Sequence, residues 1–73
     1  MNPIMTGKLI QRLRKEKQYT QSELASMLGI SNKAISRWET GDGYPDVTLL
    51  LKLASILEVS VEALLKGEAD PSP

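Results

Sequence analysis

The run Thr20-Gln21-Ser22-Glu23, followed after one short apolar stretch by Gly29-Ile30-Ser31, constrains this chain more than any other part of it. Thr20 and Glu23 have the spacing of a capping box, in which a hydroxyl and a carboxylate reciprocally satisfy backbone N–H groups left open at a helix start. Gly29 suits the left-handed backbone of a tight turn, and Ser31 is the next N-cap. Two short helices are therefore joined by about three residues, and so brief a joint forces them to cross steeply.

Around this pair the chain keeps a helical period, and no stretch alternates as a strand does, so the expected fold is all-α with five helices. Thr6 is expected to cap the first, with Leu9, Ile10 and Leu13 inward and Lys8, Arg12 and Lys15 outward. The second turns Leu24, Ala25 and Leu28 inward. The third runs from Asn32 to about Thr40 and is closed by Gly41, with Ala34, Ile35 and Trp38 on its buried side and Asn32, Lys33, Ser36 and Arg37 on the other. Trp38 shares the face of Ala34 and Ile35, which favours core packing over stacking on a ligand, and Tyr19 is expected in the core or as a staple before the Thr20 cap. After the loop Asp42-Gly43-Tyr44-Pro45, Asp46 caps a fourth helix with Leu49, Leu50, Leu53, Ala54 and Leu57 facing the core. Ser60 starts a fifth, carrying Val61, Leu64 and Leu65 and ending at Gly67. Residues 1–67 form the domain. Residues 68–73, with two prolines, read as a tail or the stub of a linker.

The chain of 73 residues has no Cys and no His. That removes disulfides, thiolate nucleophiles and the commonest zinc ligands, and no carboxylate cluster accompanies a nucleophile. No metal, cofactor, small-molecule substrate or enzymatic activity is expected. The longest apolar run, Leu49-Leu50-Leu51, is far shorter than the roughly 20 residues of a membrane span, and Met1-Asn2-Pro3-Ile4 lacks a signal-peptide pattern. A cytoplasmic protein is expected. Net charge is zero, yet its distribution is bipolar. Residues 1–37 hold seven basic residues against Glu16 and Glu23, and residues 38–73 hold Lys52 and Lys66 against seven acids. Such a chain can turn a basic face to a polyanion and keep an acidic face away from it.

The stretch from Thr20 to Ser31, continued by Ala34-Ile35-Ser36-Arg37-Trp38-Glu39-Thr40-Gly41, closely resembles the lambda-repressor-like helix-turn-helix family, also called Cro/cI-type or XRE. The resemblance extends from about Gly7 to Gly67, through Pro45-Asp46, Leu53-Ala54 and Val59-Ser60-Val61. It implies a five-helix DNA-binding domain whose second and third helices form the helix-turn-helix, with a recognition helix over 31–39 that enters the major groove of double-stranded DNA.

On that resemblance Asn32, Lys33 and Arg37 fall on base-reading positions, with Ser36 a fourth. The chemistry agrees, because Asn pairs bidentately with adenine and Lys or Arg addresses guanine. For Arg37 a phosphate is as good a target as a base. Gln21 stands at a helix N-terminus, where open N–H groups favour a phosphate, and the resemblance gives it a backbone-clamping and bracing role. Ser31 is a cap and a candidate phosphate donor. The loop 40–46 is acidic where several family members are basic, so phosphate contacts there are expected from the backbone N–H groups of Gly43 and Tyr44. The Tyr44 hydroxyl has two open roles, donation to a phosphate or packing on Pro45. Arg14 and Glu39 match a family ion pair tying the first helix to the end of the recognition helix.

The expected function is sequence-specific DNA binding in transcription regulation, as a repressor or as a phage or toxin–antitoxin regulator. A homodimer on a palindromic operator is expected, paired through apolar surface left exposed on the fifth helix around Val61, Leu64 and Leu65. The alternative is a protein-interaction module that keeps the fold with little DNA binding.

Overall fold

The computed structural model describes residues 2–69. Over them the chain forms α1 (Pro3–Glu16), α2 (Gln21–Leu28), α3 (Asn32–Glu39), α4 (Val47–Leu57) and α5 (Val61–Lys66), with no strand among the described residues. Four starts use the expected caps: the side chains of Thr20, Ser31, Asp46 and Ser60 accept from the backbone N–H groups of Glu23, Ala34, Leu49 and Ala63. The capping box is complete, because Thr20 N–H donates to Glu23 Oε1 at 2.8 Å while Glu23 N–H donates to Thr20 Oγ1 at 3.0 Å.

The start of α1 corrects the expectation that Thr6 caps it. Asn2 is the cap, its Oδ1 accepting from the N–H groups of Ile4 and Met5 at 3.0 and 3.2 Å. Pro3, which has no N–H to leave unsatisfied, is the first helical residue. Thr6 lies one turn inside α1, buried, and its hydroxyl donates to the carbonyl of Leu64 at 2.7 Å, which ties α1 to α5.

All five helices end alike. A residue with positive φ follows each (Gln18, Gly29, Gly41, Glu58 and Gly67), and the next N–H reaches back five residues to a carbonyl left open by the last turn. The positive φ matters most at Gly67. A Cβ there would lie 2.6 Å from Met5 Cβ, so α5 closes directly on α1.

The core gathers the inward faces: Leu9, Ile10 and Leu13 of α1, Leu24, Ala25 and Leu28 of α2, Ile35 and Trp38 of α3, and Leu50, Leu53, Ala54 and Leu57 of α4. Trp38 is a core residue. Gly7 brings the backbone of α1 against that of α3, since a Cβ at this position would run into the Trp38 carbonyl oxygen.

The expectation of exposed apolar surface on α5 is also corrected. Leu64 is completely buried, Ala63 is buried with it, and Val61 and Leu65 are half-buried against the core. The start of α1 covers α5, and the helix had no such cover in an arrangement where α1 began at Thr6. The large exposed apolar side chains are instead Ile4 and Met5 of α1, Met27 of α2, and Val47 and Leu51 of α4.

Candidate nucleic-acid interface

The turn Gly29–Ser31 sets α3 across the end of α2 and leaves the first turn of α3 in the open. Asn32, Lys33 and Arg37 are exposed and Ser36 is half-buried. All four follow from the period: Ile35 and Trp38 fix which side is inside, and these residues occupy the remainder of the circumference. Ser31, exposed beside them, spends its hydroxyl oxygen on the N–H of Ala34 at 3.3 Å. Asn32 has one partner across the turn: its Nδ2 donates to Ser22 Oγ on α2 at 3.0 Å.

The other end of α3 is anchored by charge. Glu39 is only 8% exposed and Arg14, from α1, 7%. Arg14 Nε donates to Glu39 Oε2 at 2.7 Å and Nη2 donates to Oε1 at 3.0 Å, the bidentate geometry of a guanidinium on a carboxylate. Gln21 Nε2 donates to the same Oε1 at 2.9 Å, and the remaining nitrogen, Arg14 Nη1, donates to the carbonyl of Tyr19 at 2.8 Å. Two charges are thus removed from water with their donors and acceptors engaged, the condition under which a buried pair is tolerated. The Glu39 hydrogen bonds raise the pKa of Arg14 above its ordinary value against the opposing effect of burial, so the guanidinium stays charged. The net effect of such a pair is orientation more than stability. It sets the roll of α3 about its axis relative to α1 and α2.

Gln21 therefore has its amide N–H turned inward to Glu39. It stands at the first position of α2, next to Ser22, whose hydroxyl oxygen accepts from Asn32 on α3.

Past α3, Arg37 folds back on the loop. Its Nε lies 3.6 Å from Asp42 Oδ2, and its Nη2 donates to the Asp42 carbonyl at 3.4 Å. Both side chains are largely solvent-exposed, so this contact is weak. Gly43 leaves room beside it, with Arg37 Nη2 3.6 Å from where a Cβ would stand. Tyr44 is half-buried, and its hydroxyl is enclosed without a hydrogen-bond partner among the described residues. A phosphate contact at Tyr44 would accordingly come from its backbone N–H.

Reasoning from sequence missed two residues of this surface, Ser22 and Asp42. Asp42 was read as a negative charge in a loop, and its distance of five residues from Arg37 was the available signal. For Ser22 no local signal existed, since its partner lies ten residues on, across the turn.

A capped helix, a glycine turn and a second helix with an exposed polar row define a helix-turn-helix domain. The chain belongs to the helix-turn-helix family, which it matches over residues 10–64. It is 42% identical over 59 residues to the transcriptional activator BcrR of Enterococcus faecalis, covering 81% of this chain and 29% of that protein. It is 40% identical over 68 residues to the repressor protein C2 of Salmonella phage P22, covering 93% of this chain and 32% of that protein. The chain thus spans less than a third of these curated relatives. The crystal structure of the P22 c2 repressor in complex with a synthetic operator superposes with a TM-score of 0.82 at 40% identity, over 86% of this chain and 96% of that one.

Proposed function

We propose that this domain binds double-stranded DNA sequence-specifically to regulate transcription, with α3 in the major groove. The observation that carries the reading is the division of α3 into an exposed polar row and a buried, hydrogen-bonded end. A helix rolled into one fixed orientation and offering Asn32, Lys33 and Arg37 to the outside meets what base-edge readout demands. Ser36 borders the row, while Gln21, Ser31 and the backbone N–H groups of Gly43 and Tyr44 flank it as phosphate contacts. The named relatives, an activator and a repressor, both act in transcription, and the P22 c2 repressor binds an operator.

One such helix reads only a few base pairs, so the domain acts as a homodimer on a palindromic operator, and repression is the favoured direction. It works as a binding module in the cytoplasm and not as an enzyme.

Selection from a random duplex library is expected to return a short two-fold-symmetric sequence. Its affinity should fall with salt at a log–log slope of about −0.9 per phosphate neutralised. Affinity independent of salt, or no enrichment of any sequence, overturns the reading in favour of a protein-interaction module. Ultracentrifugation on the selected duplex should find two protomers, and a single protomer per palindrome overturns the dimer.

A further inference from the structure

We propose that Ser22, on α2, is a specificity-positioning residue: it accepts an amide N–H of Asn32 and so fixes the Asn32 carboxamide to read an adenine. The inference rests on the DNA-binding reading above. It starts from the hydrogen bond from Asn32 Nδ2 to Ser22 Oγ at 3.0 Å, the one side-chain tie between α2 and the open first turn of α3.

A carboxamide has two N–H donors and one carbonyl acceptor. The major-groove edge of adenine offers one acceptor, N7, and one donor group, N6, so a bidentate asparagine uses its oxygen and a single N–H. Its second N–H is left over. In free protein that leftover donor is solvated, and the Ser22 contact between two exposed side chains adds little. Against DNA the same atom is taken out of water, where a donor without an acceptor is costly. Ser22 Oγ already stands where it can accept that proton. With Nδ2 held toward α2, Oδ1 and the other N–H are left for the base, and the amide plane cannot turn about its terminal torsion without breaking the tie.

Ser22 is suited to this by its place. It is the second residue of α2, after Gln21, so its backbone is set by the Thr20–Glu23 capping box. Its own hydroxyl proton remains available after it accepts from Asn32. The same box that starts α2 therefore holds the acceptor for the reading residue of α3.

The test compares wild type, Ser22→Ala, Ser22→Thr, Asn32→Ala and the Ser22→Ala/Asn32→Ala double variant. Each is checked for folding by its thermal melt and assayed on the selected duplex with every single base-pair substitution. The expected result is that Ser22→Ala lowers the preference for adenine at one base pair by about 2- to 10-fold. Asn32→Ala alters that same base pair, Ser22→Thr retains most of the preference, and adding Ser22→Ala to Asn32→Ala changes nothing further.

The inference is overturned if Ser22→Ala lowers affinity equally on all duplexes, which marks a phosphate contact. It is equally overturned if the profile is unchanged, or if the two single variants act at different base pairs. Wild type with no base preference at all is a separate result, visible before any variant is made, and removes the DNA-binding reading itself.

Discussion

At its C-terminal end α3 is held by three hydrogen bonds to Glu39, all within the protein and largely out of solvent, whereas at its N-terminal end the one side-chain tie, Asn32 to Ser22, lies in the open. The buried end also meets α1 at backbone distance across Gly7. The difference is one of tasks. The buried end spends charged groups on orientation, where leaving any one unpartnered would be expensive. The open end keeps Lys33 and most of the Asn32 amide uncommitted, and Arg37, on the exposed row of the last turn, is only weakly committed, so that their hydrogen-bonding capacity is available to another molecule. Damage at the two ends should accordingly be felt in different measurements, stability at one and recognition at the other.

The largest expected effect is at the buried end. Glu39→Ala leaves the Arg14 guanidinium and the Gln21 amide without their acceptor, and unfolding by denaturant should show a loss of about 3–5 kcal/mol. Arg14→Ala should cost a similar amount, and a double-mutant cycle should show strong coupling between the two. No coupling would mean that the pair does not orient α3. Gly7→Ala comes next. Its methyl meets the Trp38 carbonyl, a backbone atom with no rotamer by which to retreat, and the helices must separate at a cost of about 1–3 kcal/mol. At this chain length that lowers the melting midpoint by roughly 4–8 °C per kcal/mol. An unchanged midpoint would show that α1 and α3 can part here without loss, and would break the contrast.

What was readable in the sequence follows the same division. The starts of α2, α3, α4 and α5 were legible because a cap is a local device: Thr20, Ser31, Asp46 and Ser60 each act on the N–H group three residues on. The exposed row was legible from the helical period once Ile35 and Trp38 marked the inside. The start of α1 was misread because Thr6 has the right chemistry for a cap, while the Asn2-Pro3 pair that does the work sits among the terminal residues. The ends of α1 and α4 gave no signal, since Gln18 and Glu58 take the positive φ usually left to glycine. Leu64 looked uncovered only because the first turn of α1 was missing from the picture, and with it the Thr6 bond to Leu64. The Ser22–Asn32 tie joins residues ten apart through a turn whose angle no local pattern reports.

At the open end, Lys33→Ala should leave the unfolding transition unmoved, because Lys33 is exposed and its side chain is not part of the core. Binding to the selected duplex should weaken by about 1–3 kcal/mol, with preference relaxed at one base pair. A uniform loss over all sequences would reassign Lys33 to a phosphate. A loss of stability would break the division between the two ends.

The smallest effect expected belongs to a pair that resembles Arg14–Glu39 in chemistry and not in setting. Lys17 Nζ donates to Glu58 Oε2 at 2.8 Å, joining the end of α1 to the end of α4 just where Gln18 and Glu58 turn to positive φ. The hydrogen bond from Lys17, followed by its charge, lowers the Glu58 pKa, and the hydrogen bond to Glu58 raises that of Lys17. Both shifts stabilise the folded state when both groups are ionised. The Glu58 contribution is present above the ordinary carboxylate range and is lost as pH falls through its lower folded value. The Lys17 contribution is present below the ordinary lysine range and is lost as pH rises through its higher folded value. Between those limits the pair should change stability little, because the Glu58 side chain is 76% exposed and water screens the interaction. The sensitive readout is therefore the titration of the Glu58 carboxyl by NMR. In Lys17→Ala its midpoint should rise toward that of an ordinary glutamate, while the denaturant midpoint near neutral pH stays almost unchanged. A Glu58 midpoint identical in the two proteins would show that the contact does not form in solution. A denaturant midpoint that fell as far as it does in Glu39→Ala would show that exposure does not separate the two ion pairs.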